Sequence, residues 1–188
     1  MKTDRRDQPE HDACALAAVV ARDGRASAWP LRHAMRALEA MAHRAGSVGE
    51  EGDGCGVQVD IPRRLWADRL RSWLPFSPAF ALAHLAADDP EPALHALGVE
   101  LVALIEQDVD RAAIGPAGRD GTPPLWQAAL RVPECTSLVP HWMALERAGV
   151  HVASLSRSSC VYKVLGDPSR LLPFAADLQH PLFATRIA

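Results

Sequence analysis

The strongest constraint on the fold lies between residues 31 and 62, where a helical period gives way to a strand period across a bridge of glycines. Leu31, Met35, Leu38, Met41 and Ala45 fall on one face of a 3.6-residue period, which predicts an amphipathic helix over 31–45. Pro30 suits the first helical position, where its missing N–H costs little, and Gly46 ends the pattern. The segment Gly46-Ser-Val-Gly-Glu-Glu-Gly-Asp-Gly-Cys-Gly56 follows. Val57, Val59 and Ile61 then alternate with Gln58 and Asp60, the pattern of a half-buried strand that Pro62 terminates. Both periods within one short stretch favour layered helix and sheet over a helical bundle.

The rest of the chain extends that α/β reading. Residues 13–20, Ala-Cys-Ala-Leu-Ala-Ala-Val-Val, predict a buried strand, although a buried helical turn has the same composition, and Asp23-Gly24 marks a turn after them. Residues 63–74 predict a short helix and 79–86 a second core strand. Residues 89–109 predict a long helix with Leu94, Leu97, Leu101, Leu104 and Ile105 on its apolar side. Gly98 lowers the local propensity there by roughly 1 kcal/mol relative to Ala. Residues 114–124 read as a Gly/Pro loop and 140–148 as a short helix. Residues 150–154 and 161–164 read as two strands joined by Ser156-Arg-Ser-Ser159, with a turn at Gly166-Asp-Pro168. Residues 171–176 and 182–188 carry no decisive pattern. The apolar ending Ile187-Ala188 predicts either a continuation of the chain or a buried C-terminus.

Composition narrows the function classes. With 188 residues, 48% of them apolar, the chain can bury a sizeable core as one domain. A net charge of -3, a pI near 6.2 and no basic stripe argue against nucleic acid as a partner. The apolar run at 13–21 is too short for a membrane span and its flanks do not read as a secretory signal, so a cytoplasmic protein without membrane contact is expected. Cys14, Cys55, Cys135 and Cys160 form no C-x-x-C pair and have no histidine at zinc-ligand spacing, which argues against a metal site or a disulfide framework. The glycine-rich segment lacks the Gly-Lys-Ser/Thr ending of a phosphate-binding loop, and no dinucleotide fingerprint is present.

Several stretches together carry a resemblance. Glu10-His-Asp-Ala-Cys14-Ala, then Gly24, Ser27 and the predicted helix ending in Met41-Ala-His43-Arg44, resemble the start of a class II glutamine amidotransferase domain, of the kind found at the N-terminus of the glutamate synthase large subunit. Gly52-Asp-Gly-Cys-Gly56 with Val59-Asp-Ile-Pro62, Val152-Ala-Ser-Leu155-Ser with Val161-Tyr-Lys163, and Leu172-Pro-Phe174 with Asp177-Leu178 continue it in order. The implied fold is the α/β/β/α sandwich of N-terminal nucleophile hydrolases, incomplete because the resemblance covers only the N-terminal half of that domain. The predicted helices at 31–45 and 89–109 are its candidate outer layers. Residues 1–13 correspond to a leader or propeptide-like segment and 14–188 to the N-terminal part of the amidotransferase-like domain.

The resemblance assigns catalysis to Cys14. Once the leader is removed, the α-amine of Cys14 serves as base for its own thiol, a workable pairing because an α-amine titrates near pH 8 and a thiolate is a strong nucleophile. The thiolate attacks the side-chain amide of glutamine, ammonia leaves, and water releases glutamate from the thioester. Cys55, Cys135 and Cys160 read as core filler, Asp53 and its glycines as backbone-shaping, and His43-Arg44 as favourable charge closing a helix or as part of the site's wall.

The departures from the family pattern bear on activity. Ala15 stands where the family has glycine, and His43-Arg44-Ala45 displaces Gly46 by one position from the family's His-Arg-Gly. The family's Arg-Phe-Ser-Thr-Asn-like motif, whose arginine grips the glutamine carboxylate, its oxyanion Asn-Gly pair and its amine-binding aspartate are absent from these residues. A lost oxyanion donor costs on the order of a hundredfold or more in rate. The expectation is therefore a glutaminase component that releases ammonia for a glutamate-synthase-like enzyme, active only if Cys14 is N-terminally exposed and the missing groups are supplied by a second chain or a longer one. The alternative is a non-catalytic structural or regulatory subunit of such a complex. Glutamine is the candidate substrate, a hetero-oligomer the expected assembly, and no cofactor is expected in this chain. The FMN and iron–sulfur cluster of glutamate synthases would reside in a partner synthase subunit.

Overall fold

The computed structural model describes residues 14–44, 46–48 and 51–188, so the leader-like segment 1–13 lies outside the described residues. Helix α1 (Trp29–Ala40) realises the predicted amphipathic helix, with Pro30 in its first turn and Leu31, Ala34 and Met35 buried. It ends before the apolar stripe does: Met41 caps it and Ala42–Arg44 tighten into a 3-10 turn. β1 (Ser47–Val48) pairs antiparallel with β2 (Glu51–Gly52). β3 (Cys55–Asp60) is the alternating strand, with Val57 and Val59 buried, and Ile61-Pro62 lead into α2 (Arg63–Leu70) and then β4 (Phe80–Ala86).

The long helix predicted over 89–109 does not form. Only α3 (Glu91–His95) is helical, Gly98 turns the chain out with a φ of 68°, and β5 (Glu100–Glu106) follows. The leucine spacing fits a helical stripe, but Leu101 to Ile105 is also a continuous apolar run of strand length. Positive φ at Gly98 and pairing with β6 (Leu125–Arg131) decide in favour of the strand. β6, for which the sequence carries no clear strand pattern, is an inner strand of the main sheet. Within the predicted loop at 114–124 lies α4 (Pro116–Gly121). The remaining elements are α5 (Val139–Arg147), β7 (His151–Ser156), β8 (Ser159–Val164) and α6 (Leu171–Phe174).

The strand predicted at 13–20 is reduced to a single bridge between Val20 and Ile187. Val19 and Ala188 exchange backbone hydrogen bonds, at 2.7 and 2.9 Å. From Cys14 to Val20 the side chains nevertheless alternate between exposed and half-buried, which is the period of a strand.

Strand order β5-β6-β4-β7 builds one antiparallel sheet, and β3 pairs antiparallel with β8 in a second. The short turn between β7 and β8 carries the chain from one sheet to the other. Because side chains alternate along β4, Ala81, Ala83 and Leu85 pack with Leu94 of α3 and Leu145 of α5, whereas Phe80 and Leu82 pack against Val59 and Tyr162 of the smaller sheet. Leu31 and Met35 of α1 join this inter-sheet core, as do Trp66 and Phe174. Each such large side chain, once buried, contributes about 1.5–3 kcal/mol. The packing is thus helix, sheet, sheet, with α1 closing the inter-sheet core. No helix among the described residues is long and apolar enough to cross a membrane.

Polar groups stitch the two sheets together. Buried His84 on β4 bonds through Nδ1 to the Val161 carbonyl at 2.9 Å, which requires the Nδ1–H tautomer, and its ring meets Tyr162 edge-on. Tyr162 donates its hydroxyl proton to Asp177 Oδ2 at 3.0 Å, and Gln127 Nε2 donates to the same oxygen at 2.7 Å. These contacts satisfy a buried carboxylate whose isolation in the core would be prohibitive.

Candidate functional site

Four parts of the chain converge on Cys14. The end of α1 contributes Leu38, Met41 and Ala42, the turn before β3 contributes Asp53 and Gly54, β3 itself contributes Cys55 and Gly56, and the turn after β8 contributes Pro168. With Cys14 and Ala15 they enclose a pocket of about 220 Å³. Cys14 is exposed there, as a nucleophile must be. Ala15, the departure from the family's glycine, is half-buried and its methyl lies on the same wall.

The glycine-rich turn is shaped for this position. Gly54 has a φ of 133°, and a side chain at that position would come 3.2 Å from the Val164 carbonyl oxygen. A side chain at Gly46 would run into the Asp53 carboxylate. The glycine displaced by one position from the family pattern therefore still serves a purpose, because it admits Asp53, whose backbone N–H also bonds to the Gly46 carbonyl at 3.1 Å. Among the described residues, Asp53 is the one charged side chain in the pocket lining. In sequence, Asp53 reads only as backbone-shaping; its one signal is a lone aspartate inside the glycine run.

Cys55, the second cysteine of the pocket lining, is half-buried. Burial, and then the negative charge of Asp167, pushes the Cys55 thiol up to about 11, so Cys55 stays protonated and unreactive near neutrality. Cys160 is buried in the inter-sheet core and Cys135 is exposed elsewhere. His43 and Arg44, which the sequence left as candidates for the site's wall, are exposed and do not line the pocket.

An apolar groove of about 400 Å³ adjoins the pocket, running along residues 15–20 between α1, β3 and the Ile187-Ala188 end. Leu16, 91% exposed, belongs to its lining. Among the described residues, neither the pocket nor the groove has a basic side chain in its lining, and the sequence contains no asparagine.

Comparison with known proteins places these features in a family. The family described as Glutamine amidotransferases class-II matches residues 14–188, so the match begins at Cys14. The glutamate synthase [NADPH] large chain of Bacillus subtilis (strain 168) is 23% identical over 211 residues, which cover 97% of this chain and 14% of that protein. A ferredoxin-dependent glutamate synthase 1, chloroplastic/mitochondrial, of Arabidopsis thaliana is 25% identical over 211 residues, covering 95% of this chain and 13% of that protein. The glutamate synthase [NADPH] large chain of Azospirillum brasilense is 34% identical over 67 residues, 34% of this chain and 4% of that protein. The chain thus spans a small part of the length of these relatives.

Proposed function

Because this chain belongs to the class-II glutamine amidotransferase family, we propose that it carries the nucleophile side of a glutaminase site, with Cys14 as the nucleophile, and serves a glutamate-synthase-like enzyme. Removal of residues 1–13 frees the α-amine of Cys14, which takes the proton of its own thiol. The thiolate attacks the side-chain amide carbon of glutamine. The protonated α-amine then delivers its proton to the departing nitrogen, which leaves as ammonia, and a thioester remains. Water adds to the thioester, glutamate is released, and the thiol is restored, so glutamine and water become glutamate and ammonia.

The observation that carries this reading is the exposed Cys14 thiol at a pocket walled by the glycine-rich turn, at the position where the family match begins. Asp53, across the pocket lining, attracts a cationic amine, either the α-ammonium of Cys14 or that of glutamine. The carboxylate clamp and the oxyanion donors come from a second chain or from further sequence, so the assembled complex is the working catalyst. Cys14 and Cys55 share one pocket, but Cys135 is exposed elsewhere and Cys160 is sealed in the core, so the four do not fit an iron–sulfur cluster; that chemistry and FMN belong to a synthase partner. The test is labelling of the native complex with an electrophilic glutamine analogue. The reading expects one adduct on Cys14 and loss of ammonia release in Cys14→Ala; an unlabelled Cys14 in a complex that hydrolyses glutamine contradicts it.

A second reading, a structural or regulatory subunit that has kept an old cysteine, is favoured by the pocket lining, which among the described residues offers two thiols and a carboxylate but no basic group. It predicts a stable complex in which Cys14→Ala leaves every activity unchanged.

A further inference from the structure

β3 begins at the Cys14 pocket and ends at a different cavity. Five rises along the strand separate Cys55 from Asp60, about 17 Å. At the far end, residues from before α1, the first turn of α2 and the C-terminal segment surround a cavity of about 560 Å³, within the size range of small-molecule sites. We propose that this cavity binds a small organic polyanion, a phosphate ester or a polycarboxylate, at a site separate from the Cys14 chemistry.

The charge balance carries the inference. Among the described residues, Arg25, Arg63, Arg64 and Arg186 line the cavity against a single carboxylate, Asp60. That carboxylate is already taken: Arg186 holds it through Nη2 to Oδ1 at 3.0 Å, through Nε to Oδ2 at 3.2 Å and through its backbone N–H at 2.6 Å. Arg63 is fixed by two backbone carbonyls, bonding Pro75 through Nη1 and Arg157 through Nη2, the latter at 2.6 Å. Burial, and then the like charge of Arg186, holds the Arg63 pKa below the usual arginine value, so cationic groups crowd here without a full set of counter-charges.

Arg25 and Arg64 are the free pair. Both are exposed, and among the described residues neither guanidinium has a hydrogen bond or ion pair; Asp23 accepts the backbone N–H of Arg25, not its side chain. Two uncommitted guanidiniums from separate elements, over a concave surface that already carries fixed positive charge, match the fork geometry of phosphate or carboxylate oxygens. Ser158 adds a hydroxyl to the lining. Phe76, 47% exposed, and Leu182 supply an apolar wall, which is why an organic anion fits better than a bare ion.

The experiment titrates the full chain with inorganic pyrophosphate in one arm and citrate in the other, at fixed ionic strength, with sodium chloride as the control. Saturable one-site binding of pyrophosphate identifies the phosphate class, and of citrate the polycarboxylate class. Either is expected to weaken about tenfold or more in Arg25→Ala/Arg64→Ala, the scale of lost charge-assisted hydrogen bonds. Among the described residues those two side chains make no hydrogen bond or ion pair, so the variant's unfolding midpoint is expected to match the parent's. The single variants Arg25→Ala and Arg64→Ala read the same loss separately. Absence of saturable binding in both arms, or binding that survives the double substitution unchanged, overturns the proposal.

Discussion

Arg69 and Asp177 form a two-point ion pair in the inter-sheet core: Nη1 stands 3.2 Å from Oδ2, Nη2 closes on Oδ1, and the carboxylate side chain is 1% exposed. Burial alone would raise the Asp177 pKa. Hydrogen bonds from Arg69 and Gln127, the Arg69 charge and the Tyr162 hydroxyl outweigh burial and hold it below the usual carboxylate value. One carboxylate thereby joins α2, β6, β8 and the 3-10 turn at Ala176–Gln179.

Truncating this centre leaves Arg69 and Gln127 without a shared acceptor. Asp177→Ala is expected to cost about 3–5 kcal/mol, the scale for breaking a buried pair from one side. Tyr162→Phe, which removes one hydrogen bond, is expected to cost about 0.5–3 kcal/mol. Urea denaturation reads both, and a loss below about 1 kcal/mol in Asp177→Ala would show that the cluster does not hold the sheets together.

His84 gives the fold an acid limb. Burial pushes its pKa down to about 4, against the bond to Val161 and the charge of Asp177, which favour the protonated form. The unfolded chain takes up its proton near pH 6.5, whereas the folded chain resists until about pH 4. Stability from neutral His84 is therefore complete above pH 6.5 and is lost as pH falls toward 4, roughly 3 kcal/mol in all. Below that window the lowered pKa values of Asp177 and Asp60 extend the loss. Unfolding free energies at pH 8, 6 and 4.5 should fall for the parent chain and stay flatter between 6.5 and 4 for His84→Gln. Equal slopes would assign the acid limb to other groups.

The turn beside Cys14 is sensitive to a single methyl. Gly54→Ala forces a residue with a side chain to a φ of 133° and brings its Cβ to 3.2 Å from the Val164 oxygen. The expected cost is about 1–3 kcal/mol, together with slower reaction of Cys14 with a thiol probe as the turn shifts. Thermal unfolding and probe kinetics measure the two effects, and an unchanged midpoint would mean that the turn relaxes freely.

Sequence legibility followed period and length. α1 and β3 were readable because their apolar residues repeat cleanly at 3.6 and 2. Residues 89–109 misled because Leu94, Leu97, Leu101 and Leu104 satisfy a helical stripe, while the deciding facts, positive φ at Gly98 and a pairing partner in β6, are conformational and non-local. β6 escaped because Trp126-Gln-Ala-Ala-Leu places a buried glutamine where the apolar alternation should continue, and that glutamine serves Asp177.

The site was legible only in its motif. Cys14 could be singled out from the residues around it, as could the glycine turn. The Cys55 thiol, held protonated by burial, and Asp53, lining the pocket opposite a glycine that makes room for it, required three-dimensional neighbours.

The central claim, that Cys14 is an N-terminal nucleophile, is tested most directly by the intact mass and N-terminal sequence of the protein purified with its native partners. The expected result is a chain beginning at Cys14, whose α-amine is then free to act as the base. A mature chain that begins at Met1 or Lys2 would leave the Cys14 nitrogen in an amide bond and contradict the mechanism.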